Sequence, residues 1–415
     1  MLAVHEAIDR VMATVRELGA ERAPLDAAFG RVLAADVVSE VDVPPWDNSA
    51  MDGYAVRAAD LAGEATALRL LEVVRAGTMP SARVEPGTAS AVMTGAPMPD
   101  GADAVVPVED SDRSMTGEVV LHGATQVGRY VRRRGGDIAA GAVVARRGDV
   151  LGAGALGLLA SVGCVDAPVV RRPRVGILGT GDEVVRPGTP RAGAQIWSSN
   201  HVALAALARE AGAEPVDLGH AADDPDELAA AVARGLDLDV LLTTGGVSAG
   251  AYDLARGALE RAGVASGFWK VRVKPGMPLV FGVRPRPGGQ TVVFGLPGNP
   301  VSCMVNFLVF VRPWLRASLG DPRPHLPRIE VTAGHDIPSA PGRARFERVR
   351  LEAGAGGWTC WTTGDQSSGV LRSMAGAHGL MALAPDDPGP RRGDVVEVVL
   401  VDPSFLARAA HDLPW

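Results

Sequence analysis

RVGILGT (174–180), HVALAALAREAG (201–212), PVDLG (215–219), DELAAAVARG (226–235) and DVLLTTGG (239–246) follow one another as strand, helix, strand, helix, strand. The strand segments are short apolar runs, whereas the helical ones repeat apolar residues three and four apart. Beyond Asp253 comes helix-like DLARGALERAG, then strand-like FWKVRV, LVFG and TVVFG. PGNPVSCMVNFLVFVRPWL (297–315) closes the region with a long helix. Alternation of this kind predicts a parallel sheet with helices on both faces, a three-layer α/β/α domain over 171–322. Ligands of such sheets sit beyond the carboxyl ends of the strands.

The flanks have a different texture. Residues 3–18 place Val4, Ala7, Ile8, Val11, Val15 and Leu18 on one face and stop at Gly19, which predicts an amphipathic helix. GAGALGLLASVG (152–163) predicts a second helix, and packing of the first against it would make a discontinuous helical N-terminal domain, 1–42 plus 137–170. Between them, 43–136 is a β-rich inserted domain of short runs broken by Gly and Pro. From 323 to 415 the runs RIEVTAG, RFERVRLEAG, GWTCWTTG, GLMALAP and DVVEVVLV predict a C-terminal β-barrel or roll. The fold class is thus α/β multidomain with four parts, one more than 415 residues suggest at roughly 150 per domain.

Composition narrows the function. A net charge of −7 gives no basic excess for nucleic acid. The 51 glycines and 31 prolines have no period and fall between apolar runs, so they read as tight turns rather than disorder. Cys164, Cys303 and Cys360 are far apart, with no CxxC, which argues against a disulfide scaffold or structural zinc. MLAVHEAIDR lacks an apolar signal region, and the apolar stretch 301–311 is too short for a membrane span. A cytoplasmic protein with no membrane partner is expected.

Three strand tips carry special backbone chemistry. TTGGVSAGAYD (243–253) offers Gly245 and Gly246 for close approach, with Thr244 and Ser248 as hydroxyl donors to anionic oxygens. ILGTGDEV (177–184) adds Asp182 and Glu183, and FGLPGNPVS (294–302) adds Asn299 as a cap with Pro300 at the first helical position. KVRVKPG (270–276) aligns Lys270, Arg272 and Lys274 on one face of a strand, suited to phosphate or another oxyanion. In the β-rich part, VPPWDNSAMDGYAVR (43–57) carries Asp47 and Asp52 as candidate working carboxylates, and VMTGAPMP places Thr94 at a strand end. VRRRGGDI (131–138) sets Arg134 and Asp137 beside a glycine pair. No HExxH or complete P-loop occurs.

DNSAMDGYAVR, MTGAPMP, RRRGGD, GTGDEV, TTGGVSAG, KPG and GLPGNPVS, in this order from 47 to 302, resemble the MoeA family of molybdopterin molybdenumtransferases, whose eukaryotic counterpart is the gephyrin E domain. The resemblance implies a four-domain homodimer that inserts molybdenum from molybdate into adenylylated molybdopterin. It further implies Mg²⁺-dependent hydrolysis of the adenylate, release of AMP, and encounters with other proteins of molybdenum cofactor biosynthesis. Carried over by motif, Asp52, Asp137, Glu183 and Asp253 are catalytic, with Glu183 and Asp253 also metal ligands. Thr94, Arg134, Asp182, Asp224, Thr244, Gly245, Gly246, Ser248, Lys270, Lys274, Pro297, Gly298, Asn299 and Pro300 bind substrate, Asp223 being an alternative to Asp224. One departure is Met277, where many members have lysine in KPGKP. The motifs point to a cleft between the α/β and β-rich domains. A molybdopterin adenylyltransferase would leave 1–170 and 325–415 unexplained, and a non-catalytic scaffold of the gephyrin type would not require the carboxylates.

Overall fold

The computed structural model describes residues 1–222, 224–245, 257–354 and 356–406. The chain divides into two compact units, 22–169 and 1–21 with 170–415. Helix α1 (Val4–Met12) belongs to the larger unit and is shorter than the 3–18 pattern predicts. Tertiary bonds stop it: the Thr14 carbonyl accepts from Gln290 and the Thr14 hydroxyl accepts from the Trp314 indole at 3.1 Å. Ala7 and Val11 of α1 are fully buried against Val175, Phe307 and Trp314. The expected packing of this helix with 152–163 is therefore not its role; its apolar face completes the α/β core.

The smaller unit is β-rich, as its short runs predict. Strands β1 (Gly53–Val56), β2 (Ala65–Val74), β3 (Thr88–Val92), β4 (Ala104–Pro107) and β5 (Glu118–His122) form a sheet in the order β4-β1-β3-β2-β5. Only β2 and β3 run parallel. Tyr54, Leu68, Ala91, Val106 and Leu121 fill its core, and the Tyr54 hydroxyl donates to the Ser114 carbonyl at 2.8 Å. Helix α2 (Ala153–Ser161) buries Leu159 against Leu33, Leu151 and Val169 in a separate cluster of this unit.

In the larger unit β6 (Arg174–Thr180), β7 (Glu214–Ala221), β8 (Val240–Thr244), β9 (Ala265–Lys270), β10 (Pro278–Arg286) and β11 (Gly289–Leu296) form one sheet in the order β7-β6-β8-β11-β10-β9. The first four in that order are parallel. β10 is antiparallel to both neighbours, because only Pro287 and Gly288 separate it from β11 and a two-residue link permits nothing else. Side chains alternate between faces. Val240, Leu242, Val292 and Phe294 meet α3 (Ser199–Glu210) and α5 (Pro300–Asn306) on one side. Leu241 and Val293 meet α4 (Pro225–Gly235) and residues 257–261 on the other. From α5 the chain continues through a wide turn, Phe307–Val311, into Arg312–Ser318. Pro313 lacks an N–H and its ring would meet the Val309 carbonyl, so the helix widens there.

The C-terminal part is a closed five-stranded barrel: β12 (Arg328–Ala333), β13 (Ala344–Gly354), β14 (Gly357–Thr362), β15 (Gly379–Leu383) and β16 (Val395–Leu400). The order β13-β14-β12-β16-β15 returns to β13, so no edge is left between them. These are the five runs marked in the sequence. Val331, Val349, Leu351, Cys360, Met381 and Val398 fill its interior.

Candidate functional site

The tips of β6, β8 and β11 lie side by side, and one side chain ties the last two together. Asn200 Nδ2 donates to Thr244 Oγ1 at 2.8 Å and to the Gly298 carbonyl at 2.7 Å. Thr180 Oγ1 donates to the Thr244 carbonyl and Thr244 Oγ1 to the Pro297 carbonyl, each at 3.4 Å. Gly245 has φ +94°, and a Cβ there would stand 2.5 Å from the Thr180 carbonyl oxygen, so only glycine fits. The tips open on a cavity of about 660 Å³ that also involves Glu183, Ile196, Trp197, Ser199 and His220. Thr244, Gly245, Pro297, Gly298, Asn299 and Pro300 all line it, as does Glu183. The Ile196 amide donates to the Glu183 carbonyl at 2.7 Å, which fixes that turn.

A second cavity of about 610 Å³ adjoins it, sharing Pro278, Asn299 and Ser302. Lys274, Met277, Arg343, Ser367 and Ser368 line it. Arg343 reaches Met277 Sδ at 3.9 Å. No carboxylate among the described residues forms an ion pair with Lys274 or Arg343. Asp365, also in the lining, accepts from the Ser367 hydroxyl and amide, which hold its carboxyl below the usual range. Gly276 has φ +103° and packs on Asn306, whose Nδ2 donates to the Gly276 carbonyl at 3.0 Å. Two cations beside several hydroxyls are the chemistry of an oxyanion site.

Asn299 departs from the capping role expected of it. α5 does start at Pro300, but the Asn299 side chain makes no cap; its Nδ2 donates to Ser368 Oγ at 3.0 Å. Asn200 lies inside α3, with Ser198 at the cap position, and its amide is drawn to two acceptors on other tips.

The three cations of 270–274 do not come together. β9 ends at Lys270, whose carbonyl accepts from the Leu2 amide, and Val273–Lys274 pairs instead with Ala344 and Arg345 of the barrel. Because the chain changes sheets at this point, strict alternation no longer decides direction. Lys274 enters the second cavity, Arg272 lines a separate one with His5, and Lys270 is in neither lining. Asp182 sits beside Glu183 but outside the lining. Asp224 is the cap of α4, its Oδ1 accepting from the Asp226 and Glu227 amides at 3.0 and 2.9 Å. Gly246, Ser248, Asp253 and Asp223 lie outside the described residues.

The remaining predicted residues are in the smaller unit, where the loops bind their own charges. Asp52 Oδ1 accepts from the Thr94 amide at 2.6 Å and its hydroxyl at 2.8 Å, and both hold the carboxyl below its ordinary value. Arg134 Nε donates to Asp42 at 2.6 Å. Asp47 accepts from the Arg134 amide at 2.8 Å and from Arg133 at 2.6 Å, so both its oxygens are engaged within the loop. Asp137 is exposed, and its amide donates to the Val43 carbonyl.

Sequence reasoning missed Asn200, His220, Arg343 and the serines 367 and 368 as site residues. His220, next to last in β7 and opposite Gly179, has both ring nitrogens buried with no hydrogen-bond partner among the described residues. Burial, then His201 and Arg186, lower its pKa, so the ring is neutral at pH 7. The run PVDLGH carried a signal for it, a polar ring at a strand's carboxyl end. Nothing local marked Arg343, which reaches the site from the barrel.

Comparison with known proteins gives three family matches along the chain. Residues 2–163 match the MoeA N-terminal region (domain I and II), 176–317 a probable molybdopterin binding domain, and 330–401 the MoeA C-terminal region (domain IV). Molybdopterin molybdenumtransferase 2 of Mycobacterium tuberculosis is 41% identical over 373 residues, covering 88% of this chain and 90% of that one. Molybdopterin molybdenumtransferase of Bacillus subtilis is 32% identical over 406 residues, covering 96% and 94%. The crystal structure of the molybdopterin biosynthesis MoeA protein from Pyrococcus horikoshii OT3 superposes with a TM-score of 0.80 at 29% identity, over 97% of this chain and 100% of that one. With all three regions in order and a relative above 40% identity over most of its length, the chain belongs to the MoeA family of molybdopterin molybdenumtransferases.

Proposed function

We propose that the protein inserts molybdenum from molybdate into adenylylated molybdopterin, with hydrolysis of the adenylate and release of AMP. The observation that carries this reading is the pair of adjoining cavities. One is built from pinned strand tips suited to a phosphoanhydride, and the other holds Lys274 and Arg343, which have no ion-pair partner among the described residues. Phosphoanhydride cleavage needs mainly positioning and charge stabilisation, which these residues supply. In the first cavity the backbone of Gly245, Gly298 and Asn299 cradles the pyrophosphate, and the Thr244 and Ser199 hydroxyls orient its oxygens. In the second, Lys274 and Arg343 hold the tetrahedral oxyanion with Ser302, Ser367 and Ser368. Arg343, beside Met277, replaces the cation that KPGKP sequences have at 277.

Mg²⁺ fits the donor set in kind. Glu183 presents a carboxylate to the first cavity, and Mg²⁺ takes few protein oxygens beside substrate phosphates and water. Glu183, with Asp253, would hold the ion, which when bound neutralises charge developing on the phosphate oxygens. Asp52, Thr94, Arg134 and Asp137 remain the functional residues proposed for the smaller unit, and Asp182, Asp224, Ser248, Gly246, Lys270, Pro297 and Pro300 remain substrate-side residues of the larger one. A cytoplasmic homodimer divided at 1–42 with 137–170, 43–136, 171–322 and 323–415 belongs to the same reading, with 1–21 packed on the α/β part. Among the described residues no helix is long and apolar enough to cross a membrane. AMP release from adenylylated molybdopterin tests the proposal: Glu183→Ala and Asp253→Ala should each abolish it, and wild-type turnover in both would refute it.

A further inference from the structure

One side chain in the strand-tip cavity has an unusual combination of exposure and restraint. Trp197 lines the cavity with about half its surface, 49%, exposed. An indole left to solvent forfeits the hydrophobic stabilisation that burial ordinarily gives it. Yet this ring is fixed on several sides. Its Nε1 donates to the Thr189 carbonyl at 2.9 Å, and the Arg191 guanidinium lies 4.3 Å from the ring centroid. Val184 and Val185 pair in parallel with Ile196 and Trp197, and the Ser198 amide donates to the Val185 carbonyl at 2.8 Å. The same short ladder carries Glu183, so the ring and that carboxylate are held in one rigid turn. Ile196, Pro278, Pro297 and Pro300 add apolar lining to the same cavity.

We propose that Trp197 is the stacking platform for a planar heteroaromatic ring of the substrate. The inference rests on the functional reading above, since adenylylated molybdopterin carries two such rings, adenine and pterin. Tips that cradle phosphate hold the polar centre of that molecule, and a fixed indole at the cavity wall supplies the face that the phosphate groups cannot use. Stacking on an exposed aromatic is tolerant of ring identity, because any heterocycle has a π face. The experiment therefore separates the two rings.

The full-length protein is titrated calorimetrically with AMP, with 6-hydroxymethylpterin and with ribose 5-phosphate, which has no ring. Trp197→Ala should weaken one of the two ring probes about tenfold and leave ribose 5-phosphate unchanged. Trp197→Phe, which keeps an aromatic face but not the Nε1 donor, should restore affinity to within about threefold of wild type. In turnover, Trp197→Ala should raise KM for adenylylated molybdopterin about tenfold and leave kcat nearly unchanged. Equal binding of both ring probes by wild type and Trp197→Ala would overturn the platform. So would Trp197→Phe as weak as Trp197→Ala, which would make the indole an anchor for Thr189 only. Wild type that binds a ring probe through Trp197 but releases no AMP would keep the platform and remove the reaction; wild type that releases AMP but binds neither ring probe would remove the platform alone.

Discussion

Two cationic clusters, one in each unit, differ in what surrounds their charges. In the smaller unit, Arg133 and Arg134 of RRRGGD meet Asp47 and Asp42 from the 42–48 loop at 2.6 Å each. In the larger unit, Lys274 and Arg343 face a cavity of hydroxyls with no ion-pair partner among the described residues. The first arrangement neutralises itself and shapes two loops. The second leaves positive charge facing a cavity. A third cluster shows the paired kind around a buried carboxylate: Asp239, with its side chain 5% exposed, takes Arg171 through both oxygens and Arg286 through one.

If pairing marks structure and unpaired charge marks function, variants should separate cleanly. The largest effect on stability is expected at Asp239. Asp239→Ala leaves two part-exposed guanidinium groups without their carboxylate and should cost about 2–3 kcal/mol, seen as a lowered urea midpoint. Burial alone would raise the Asp239 pKa, but bonds from Arg171 and the Arg174 amide, with the charges of Arg171 and Arg286, hold it below 3.8. A depressed folded pKa gives stability that is complete above the unfolded value and lost as pH falls through the folded one. Wild-type stability should therefore fall below about pH 4, and Asp239→Asn should lose that part of the fall.

On activity the ranking reverses. Lys274→Ala should reduce molybdenum insertion about 100-fold at limiting molybdate, on the scale of removing one preorganised donor, with little change in melting temperature. Arg343→Ala should reduce it about tenfold, and Met277→Lys should restore part of that loss if 277 and 343 serve the same oxyanion. Asp47→Ala sits at the small end. It should lower stability by about 1 kcal/mol through the loop and leave molybdate dependence unchanged.

What could be read from the sequence follows the range of the interactions involved. The tips GTGDEV, TTGG and GLPGNP were legible because Gly and Pro at strand ends encode local backbone needs. The five barrel runs were legible because each alternates over a few residues. The antiparallel β10 was also within reach, since Pro287-Gly288 leaves no room for a crossover. The long-range partners were not. Lys270, Arg272 and Lys274 share a spacing, but the sheet change at 271–273 separates them. Asn200 resembles a cap until Thr244 and Gly298, 44 and 98 residues away, compete for its amide. Arg343 joins Met277 across 66 residues, and no spacing rule reaches that far. For the same reason RRRGGD could not be told from a phosphate loop without seeing Asp42 and Asp47.

The most direct test is molybdenum insertion into adenylylated molybdopterin at limiting molybdate, comparing Lys274→Ala and Arg343→Ala with Arg133→Ala. The unpaired cations should raise the molybdate concentration needed for half-maximal insertion by about tenfold or more, while Arg133→Ala keeps the wild-type value. Wild-type molybdate dependence in Lys274→Ala and Arg343→Ala, with a large shift in Arg133→Ala, would contradict the account.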